Sequence, residues 1–298
     1  MTIERLLNLL VTVTLIEMMV AVGLGVAFAN LGRVAKDARL LMRASIVNYL
    51  VIPAGTVALL LLFQAPPMVS GGFLILAVCP GAPFGPPCTK IAKGNVAASV
   101  GLMIFLAASS AVVAPLLLQL LLPLLAGSQS LRIDAVKLVG TLLATQLVPL
   151  CAGLALRHWR PALEVWLQRP ANRLSALLNL TVVVFILATQ FGLLAAIPVR
   201  AYVGMSILFI GSVTAGWLLG LPGRDSRKAM ALTTSLRNVG VALVIVTASF
   251  SGTAAVTATL AYGLLEIFGS VLLAVLWGQA ISRRSTRFES EKSFVGVA

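Results

Sequence analysis

The chain reads CPGAPFGPP over residues 79–87, inside an apolar block. Residues 80–87 hold four prolines and two glycines. Each proline lacks a backbone donor and clashes with the preceding helical turn, so a continuous helix is excluded here. Non-helical backbone persists at membrane depth only where protein buries it or where it lines a watery cavity. The stretch therefore predicts a helix broken inside a membrane bundle; a loop between two short interfacial helices is the alternative.

The composition excludes an ordinary soluble domain. Of 298 residues, 59% are apolar and 10% are charged, whereas a soluble domain carries about 25% charged residues. The apolar residues form blocks of roughly 20 or more, the length of a helix that crosses a bilayer. The formal net charge is +13, but the basic residues lie between the blocks. We interpret them as signals of membrane topology and expect the lipid bilayer, not nucleic acid, as partner.

The apolar pattern predicts an all-α membrane protein with nine transmembrane helices. A single transmembrane domain over residues 1–282 is followed by a polar cytoplasmic tail over 283–298. A signal peptide ending at Ala27-Phe28-Ala29 is the alternative for the first segment, disfavoured because the run is long and Glu17 interrupts it. The predicted segments are 6–31, 44–63, 67–92, 96–125, 134–156, 172–196, 199–220, 226–250 and 253–280.

The distribution of basic residues predicts the orientation. Of 22 lysines and arginines, 17 fall on one side of the nine segments, four fall on the other, and Arg237 lies within a segment. Positive residues concentrate on the cytoplasmic side. We therefore predict an integral protein of the plasma membrane with its N-terminus outside and its C-terminus in the cytoplasm.

A second interruption lies in the eighth segment, which reads TTSLRNVG over residues 233–240. An arginine near mid-membrane costs about 2.5–3.5 kcal/mol on insertion scales and usually faces a bundle interior; snorkelling of Arg237 to the interface is the alternative. The third and eighth segments have opposite orientation, as an inverted repeat of segments one to four with six to nine requires. Paired interruptions mark the binding site of many transporters, where half-helix N-termini attract an anion.

Several motifs resemble those of the bile acid:sodium symporter family. They are CPG at 79–81, AKGNVAAS at 92–99, RNVG at 237–240, Gly269-Ser270, and the stretch from Glu17 to Gly25. The resemblance implies the family's nine-helix variant, which lacks the first helix. It further implies a core domain (44–125 and 199–280) with two broken crossing helices, and a panel domain (6–31, 134–156 and 172–196). Family members import organic anions with sodium by movement of core against panel.

The same resemblance predicts degraded sodium sites. Gly85 and Pro86 occupy the positions of a Ser-Asn pair, and Met103 occupies that of a threonine. Thr233 occupies the position of a glutamate that bridges both sodium sites in the family, and Arg237 occupies the position of a glutamine. A sodium ion, the only cofactor-like species implied, would retain the oxygens of Asn48, Ser99, Thr233 and Thr234.

We hypothesise that Arg237, with Lys90 as a second candidate, replaces the ion and binds a carboxylate. Glu17 and Glu266 are each a candidate proton relay or an ion-pair partner of Arg237; a structural or substrate-facing role is the favoured interpretation for Glu17. The predicted binding residues are Asn48, Pro83, Gly85, Pro86, Thr89, Lys90, Ser99, Thr233, Thr234, Arg237, Asn238 and Glu266.

The leading functional prediction is a secondary active transporter of a small organic anion. A proton-coupled or uncoupled facilitator or channel that uses Arg237 in place of sodium is the alternative, and a membrane receptor a further one. No HExxH helix, phosphate-binding loop or catalytic triad occurs in the sequence, so we predict no enzyme and no ATP-driven pump. His158 is the single histidine of the sequence, and we interpret the three cysteines as structural.

Overall fold

A computed structural model describes the backbone of residues 3–125, 133–220 and 222–295. Within these ranges the chain is nearly all helical, and eight helices are long and apolar enough to cross a membrane. A ninth apolar stretch begins with the short helix Pro67–Ala77 and is broken. The predicted all-α membrane fold is therefore confirmed, and the protein is a multi-pass integral membrane protein.

Helices follow one another in fourteen α-helical elements and two π-helical turns. The first π-helical turn is Ile46–Val51, between α3 and α4, and the second is Leu143–Leu147, between α8 and α9. The α-helices are α1 Ile3–Gly25, α2 Phe28–Lys36, α3 Ala38–Ser45, α4 Ile52–Leu62, α5 Pro67–Ala77, α6 Gly85–Ile91, α7 Val96–Leu125, α8 Ala135–Leu142, α9 Val148–Trp159, α10 Pro161–Ala195, α11 Val199–Leu219, α12 Arg224–Ser235, α13 Val239–Ser249 and α14 Ala254–Val295.

Some predicted segment ends are wrong. The first membrane helix ends at Gly25 rather than residue 31, and α2 follows as a separate helix. Helix α10 begins at Pro161 rather than residue 172, because proline is tolerated in a first turn, where backbone donors have no helical partner. Helix α14 continues past the predicted end at residue 280 into the polar tail, as far as Val295.

Helices α1, α9 and α10 pack together on one side of the molecule. Gly23 of α1 and Gly153 of α9 face each other, and a Cβ atom on either would collide with the other helix's backbone. Small residues permit such close approach of membrane helices, where van der Waals packing drives association. This group of helices lies where the panel domain was predicted, and α1 also contacts α13 of the remaining bundle.

The two broken helices pair half by half. Helix α5, the first half of one, packs on α13, the second half of the other, and α6 packs on α12 in the same manner. Because the first half of each broken helix contacts the second half of the other, the two broken helices run antiparallel and cross at their interruptions. The inverted-repeat prediction requires this geometry.

Candidate functional site

The two interruptions meet. The backbone N–H of Asn238 donates to the carbonyl oxygen of Cys79 over 2.8 Å. The first break runs from residue 78 to 84 and the second from 236 to 238. Both breaks are shorter than the predicted stretches 80–87 and 233–240. The first break ends early because Pro86 and Pro87 lie in the first turn of α6, where a backbone N–H would have no helical partner.

Gly81 allows the first break to pass close to α7. Its φ is +89°, in the left-handed region that side chains with a Cβ rarely adopt. A Cβ at this position would also lie 2.8 Å from Ala107 Cα. The close contact of the first break with α7 therefore depends on Gly81.

Three buried hydroxyls, which we call the hydroxyl cluster, lie beside α6. The Thr89 hydroxyl lies 3.0 Å from the Ser99 hydroxyl and 2.9 Å from the carbonyl oxygen of Gly85, and the hydroxyls of Ser99 and Thr233 lie 3.1 Å apart. Helices α6, α7 and α12 each contribute one member. Ser99 and Thr233 were predicted as possible sodium ligands and Thr89 as a binding residue, and the structure brings the three side chains together. The cluster holds no carboxylate, and its oxygens are engaged with one another, so it fits a sodium ion poorly.

Arg237 is buried at the second break, with only 3% of its surface exposed. Its backbone N–H donates to Oε1 of Glu266 over 2.8 Å. The groups near enough to interact electrostatically with the guanidinium are the Glu266 carboxyl, the hydroxyls of Tyr49 and Tyr262, and the thiol of Cys79. Because Cys79 directly follows α5, the guanidinium lies near a helix C-terminus, where cations are favoured.

Four buried side-chain atoms of the described residues lack a hydrogen-bond partner, and all belong to this region. They are Nη1 and Nη2 of Arg237, Oδ1 of Asn48 and Oε2 of Glu266. Two are donors and two are acceptors. Buried unpaired polar atoms are rare in folded proteins, and a functional role is one of the recognised reasons for them.

The first π-helical turn positions Asn48, whose Nδ2 donates to the carbonyl of Ala44 (2.9 Å) and reaches Thr234 Oγ1 at 3.5 Å. The neighbouring Tyr49 hydroxyl donates to the carbonyl of Leu106 over 2.9 Å. π-Helical turns occur frequently at functional sites. Asn48 thus lies against Thr234 in the last turn of α12, two residues before the second break begins.

Gln146 was missed by the sequence reasoning. It lies in the second π-helical turn, is buried, and its Oε1 accepts a hydrogen bond from Nδ2 of Asn238 at 2.9 Å. The available signal was an isolated amide within an apolar segment that contains no charge after Lys137 until Arg157.

A cavity of about 80 Å³ separates the crossing from α1 and α10. Most of its wall is apolar. Pro83, Arg237 and Asn238 border it from the breaks, as predicted, but the terminal nitrogens of Arg237 are buried rather than open to it. Direct binding of a carboxylate by Arg237, as hypothesised from the sequence, requires terminal nitrogens open to the cavity, and in this structure they are not. The other polar residues of its wall are Thr14 and Asn179.

Of the predicted site residues, Pro83, Arg237 and Asn238 line this cavity and the others do not. Lys90 and Glu17 also lie away from the crossing. Lys90 is exposed in the last turn of α6 and does not border the cavity, because the helix turns its side chain away from the crossing. Glu17 on α1 accepts a hydrogen bond from the Ser175 hydroxyl on α10 over 2.7 Å. This contact joins two helices of the same group, and Glu17 is not among the groups near the Arg237 guanidinium.

Comparison with known proteins agrees with this architecture. The family model described as "Sodium Bile acid symporter family" matches residues 12–197. The "Uncharacterized sodium-dependent transporter YocS" of Bacillus subtilis (strain 168) is 25% identical over 257 residues, covering 82% of this chain and 75% of the relative. The "Probable sodium/metabolite cotransporter BASS1, chloroplastic" of Arabidopsis thaliana is 32% identical over 114 residues, covering 38% of this chain and 27% of the relative. The chain therefore belongs to the Sodium Bile acid symporter family, whose members are transporters and not enzymes.

Proposed function

We propose that this protein is a secondary active transporter of a small organic anion, and that Arg237 supplies the positive charge at its binding site. The observation that carries the proposal is the buried guanidinium at the crossing of two broken helices, beside a cavity. In a low-dielectric interior a fixed charge acts over a longer range than in water. Arg237 therefore attracts the anion through its electric field, not through a bidentate hydrogen bond.

The cavity wall supports an anion with an apolar body. Helices α6 and α13 both begin at the crossing, so their N-terminal backbone dipoles add positive potential there. The apolar side chains that form most of the wall suit a carbon skeleton. Keto acids, pantoate-like carboxylates and sulfonates share this combination of features.

Sodium coupling is supported by the names of both relatives, which describe sodium-dependent transport. The residues of this chain, however, favour the loss of sodium coupling. The hydroxyl cluster offers sodium no carboxylate, and Arg237 places a cation where the family has a neutral amide. We infer that transport by this protein does not require sodium.

Glu266 is our candidate for coupling transport to a proton. It is fully buried, it contacts the backbone of Arg237, and its Oε2 is unpaired. When Glu266 is ionised, it cancels the charge of Arg237. When it is protonated, the pair carries one positive charge and attracts an anion, so proton and anion bind together. Besides Arg237, the titratable groups that face this site are Tyr49, Tyr262 and Cys79.

The movement that exposes the site to either side is, in our proposal, a displacement of the bundle holding the crossing relative to α1, α8–α9 and α10. Helices α1 and α10 form the far wall of the cavity, and α9 packs on both of them. We further propose a plasma-membrane location with the C-terminus in the cytoplasm, on the basis of the basic residues.

The test is uptake of radiolabelled pyruvate, pantoate and isethionate into proteoliposomes under a sodium gradient, a proton gradient or no gradient. We expect concentrative uptake of at least one anion with the proton gradient alone. Arg237→Gln should abolish uptake, and Arg237→Lys should retain part of it, because charge rather than fork geometry matters. Unchanged uptake by Arg237→Gln, or accumulation that depends on sodium, would contradict the proposal.

A further inference from the structure

A second cavity lies apart from the crossing, among helices α4, α5, α11 and α14. Its volume is about 290 Å³, against about 80 Å³ for the cavity at the crossing. The described wall includes no residue of α1, α9 or α10, so this space does not lie between the two groups of helices. Most of the wall is apolar, and its buried apolar members are Leu60, Phe73, Met205, Leu208 and Ala258.

The cavity opens where three of its helices begin. The exposed members of its wall are Pro66, Pro198, Arg200 and Ala254. Pro66 and Pro198 directly precede α5 and α11, Arg200 lies in the first turn of α11, and Ala254 is the first residue of α14. Because the membrane spans of α11 and α14 also begin at these residues, the opening lies at the membrane surface and not at mid-membrane.

Arg200 places a positive charge at this opening. Its Nη2 donates to the Phe63 carbonyl oxygen over 3.4 Å, a long hydrogen bond, and no other described hydrogen bond engages the guanidinium. Arg200 belongs to none of the ion pairs found among the described residues. The other polar side chains of the wall are Thr56, whose hydroxyl donates to the Ile52 carbonyl, and Thr257. An apolar interior is thus combined with a cation that no acidic side chain neutralises.

We propose that this cavity is a binding site for an anionic phospholipid, with one acyl chain in the apolar space and the phosphate at Arg200. Apolar cavities are poorly hydrated, so a hydrocarbon chain fills such a space better than water does. A guanidinium binds phosphate oxygens through two parallel hydrogen bonds, which favours arginine at phosphate sites. The site is separate from the crossing, and the inference does not depend on the proposed transport function.

Size, charge and location favour a lipid over other occupants. The volume lies at the lower end of the range for small-molecule sites, about 300–1,000 Å³, so a helix or loop of a partner protein would not fit. Leu62 and Val203, each next in sequence to a residue of the wall, are exposed apolar side chains of the kind that face acyl chains. Basic residues beside membrane spans attract anionic headgroups. A zwitterionic phospholipid offers the same chain and phosphate, but Arg200 repels its ammonium group, so the headgroup charge should decide the affinity.

Native mass spectrometry of the full-length chain in detergent tests the role of the charge. The chain is titrated with phosphatidylglycerol and, separately, with phosphatidylcholine that carries the same acyl chains. The first phosphatidylglycerol molecule should bind several-fold more tightly than the first phosphatidylcholine molecule, and Arg200→Gln should remove this difference. Lys137→Gln is the matched control, because Lys137 on α8 is 86% exposed and lies outside the cavity wall. This control should keep the preference for phosphatidylglycerol.

A second pair of variants tests the place of the acyl chain. Gly204 on α11 belongs to the cavity wall, and a Cβ atom there would lie 3.6 Å from the Phe63 ring, at ordinary contact distance. Gly204→Leu should therefore fill part of the space and lower the affinity for phosphatidylglycerol several-fold. Gly211→Leu on the same helix is the control, since a Cβ at Gly211 meets nothing within 4 Å and Gly211 is not part of the wall. Its affinity should equal that of the parent.

Equal affinities of the parent for the two lipids, or a preference that Arg200→Gln retains, would overturn the site, because any acyl chain or detergent molecule would then occupy the cavity equally well. Equal binding by Gly204→Leu and Gly211→Leu would overturn the placement of the chain. Arg200 is exposed, so its replacement leaves the packing intact, and the headgroup comparison decides even where Gly204→Leu is unstable. Absence of anion uptake would contradict only the proposed function, since lipid binding is measured without transport.

Discussion

Arg237 and Glu266 are joined by a backbone hydrogen bond of 2.8 Å, while the guanidinium nitrogens Nη1 and Nη2 and the second carboxyl oxygen lack partners. The two side chains are thus adjacent without being locked into a bidentate pair. A buried pair of this kind can change its net charge by binding one proton, and that property underlies the functional proposal. Arg237 therefore has two roles, in stability and in transport, that different variants can separate.

We predict that Arg237→Gln lowers the free energy of unfolding by about 1–3 kcal/mol when Glu266 is ionised, because the buried carboxyl then lacks a nearby positive charge. The double variant Arg237→Gln/Glu266→Gln should recover most of this loss. Uptake should stay absent in both variants, since neither has the positive charge. Chemical unfolding in detergent and uptake assays check the two statements; recovery of uptake in the double variant would contradict the role of the charge.

The single variant Glu266→Gln is predicted to uncouple transport. Its neutral amide mimics the protonated acid, so the site keeps its positive charge at all times. Counterflow exchange of the transported anion should continue, whereas a proton gradient should no longer drive accumulation. Proton-driven accumulation at the wild-type level would remove Glu266 from the coupling mechanism.

Replacement of sodium by potassium or choline is predicted to leave uptake unchanged. The reason is the hydroxyl cluster, whose oxygens bond one another and include no carboxylate. Ser99→Ala should cost about 1 kcal/mol of stability for a lost buried hydrogen bond and should alter no ion dependence. A sodium-dependent rate that Ser99→Ala abolishes would place sodium in this cluster after all.

Gly81→Ala is predicted to lower the free energy of unfolding by about 1–3 kcal/mol, through the strained φ and the collision with α7. Gly55→Ala is the matched control, because a Cβ at Gly55 on α4 meets nothing within 4 Å. That substitution should be neutral or stabilise by up to about 1 kcal/mol. Similar unfolding curves for the two variants would show that the first break tolerates a side chain at residue 81.

Lys228→Met is predicted to lower the free energy of unfolding by about 1.5–3 kcal/mol. The Lys228 ammonium donates to the carbonyl of Ala92 over 2.8 Å at the C-terminus of α6, and the side chain is 6% exposed. Lys137→Met is the control, since Lys137 is 86% exposed in a surface pair with Asp134. Such pairs contribute little, so equal effects of the two substitutions would argue against the role of Lys228.

The breaks were predictable because their cause is local. Proline removes a donor wherever it stands, so residues 79–87 could not form one continuous helix in any packing. Their limits were not predictable to the residue, because the first turn of α6 accommodates Pro86 and Pro87. The resemblance to the family implied sodium-site positions for Ser99 and Thr233, but only the structure shows that Thr89 joins them in the hydroxyl cluster.

The sequence by itself determined the membrane spans, the two interruptions and the family, since these follow from apolar length, backbone chemistry and short contiguous motifs. Only the tertiary structure decided that Gln146 reaches Asn238, that Lys90 faces away from the crossing, and that the guanidinium of Arg237 is buried among Tyr49, Tyr262 and Glu266. The physical reason is that the partner of a side chain depends on how its helix is rotated about the helix axis. Packing across distant segments sets that angle, and two π-helical turns alter it.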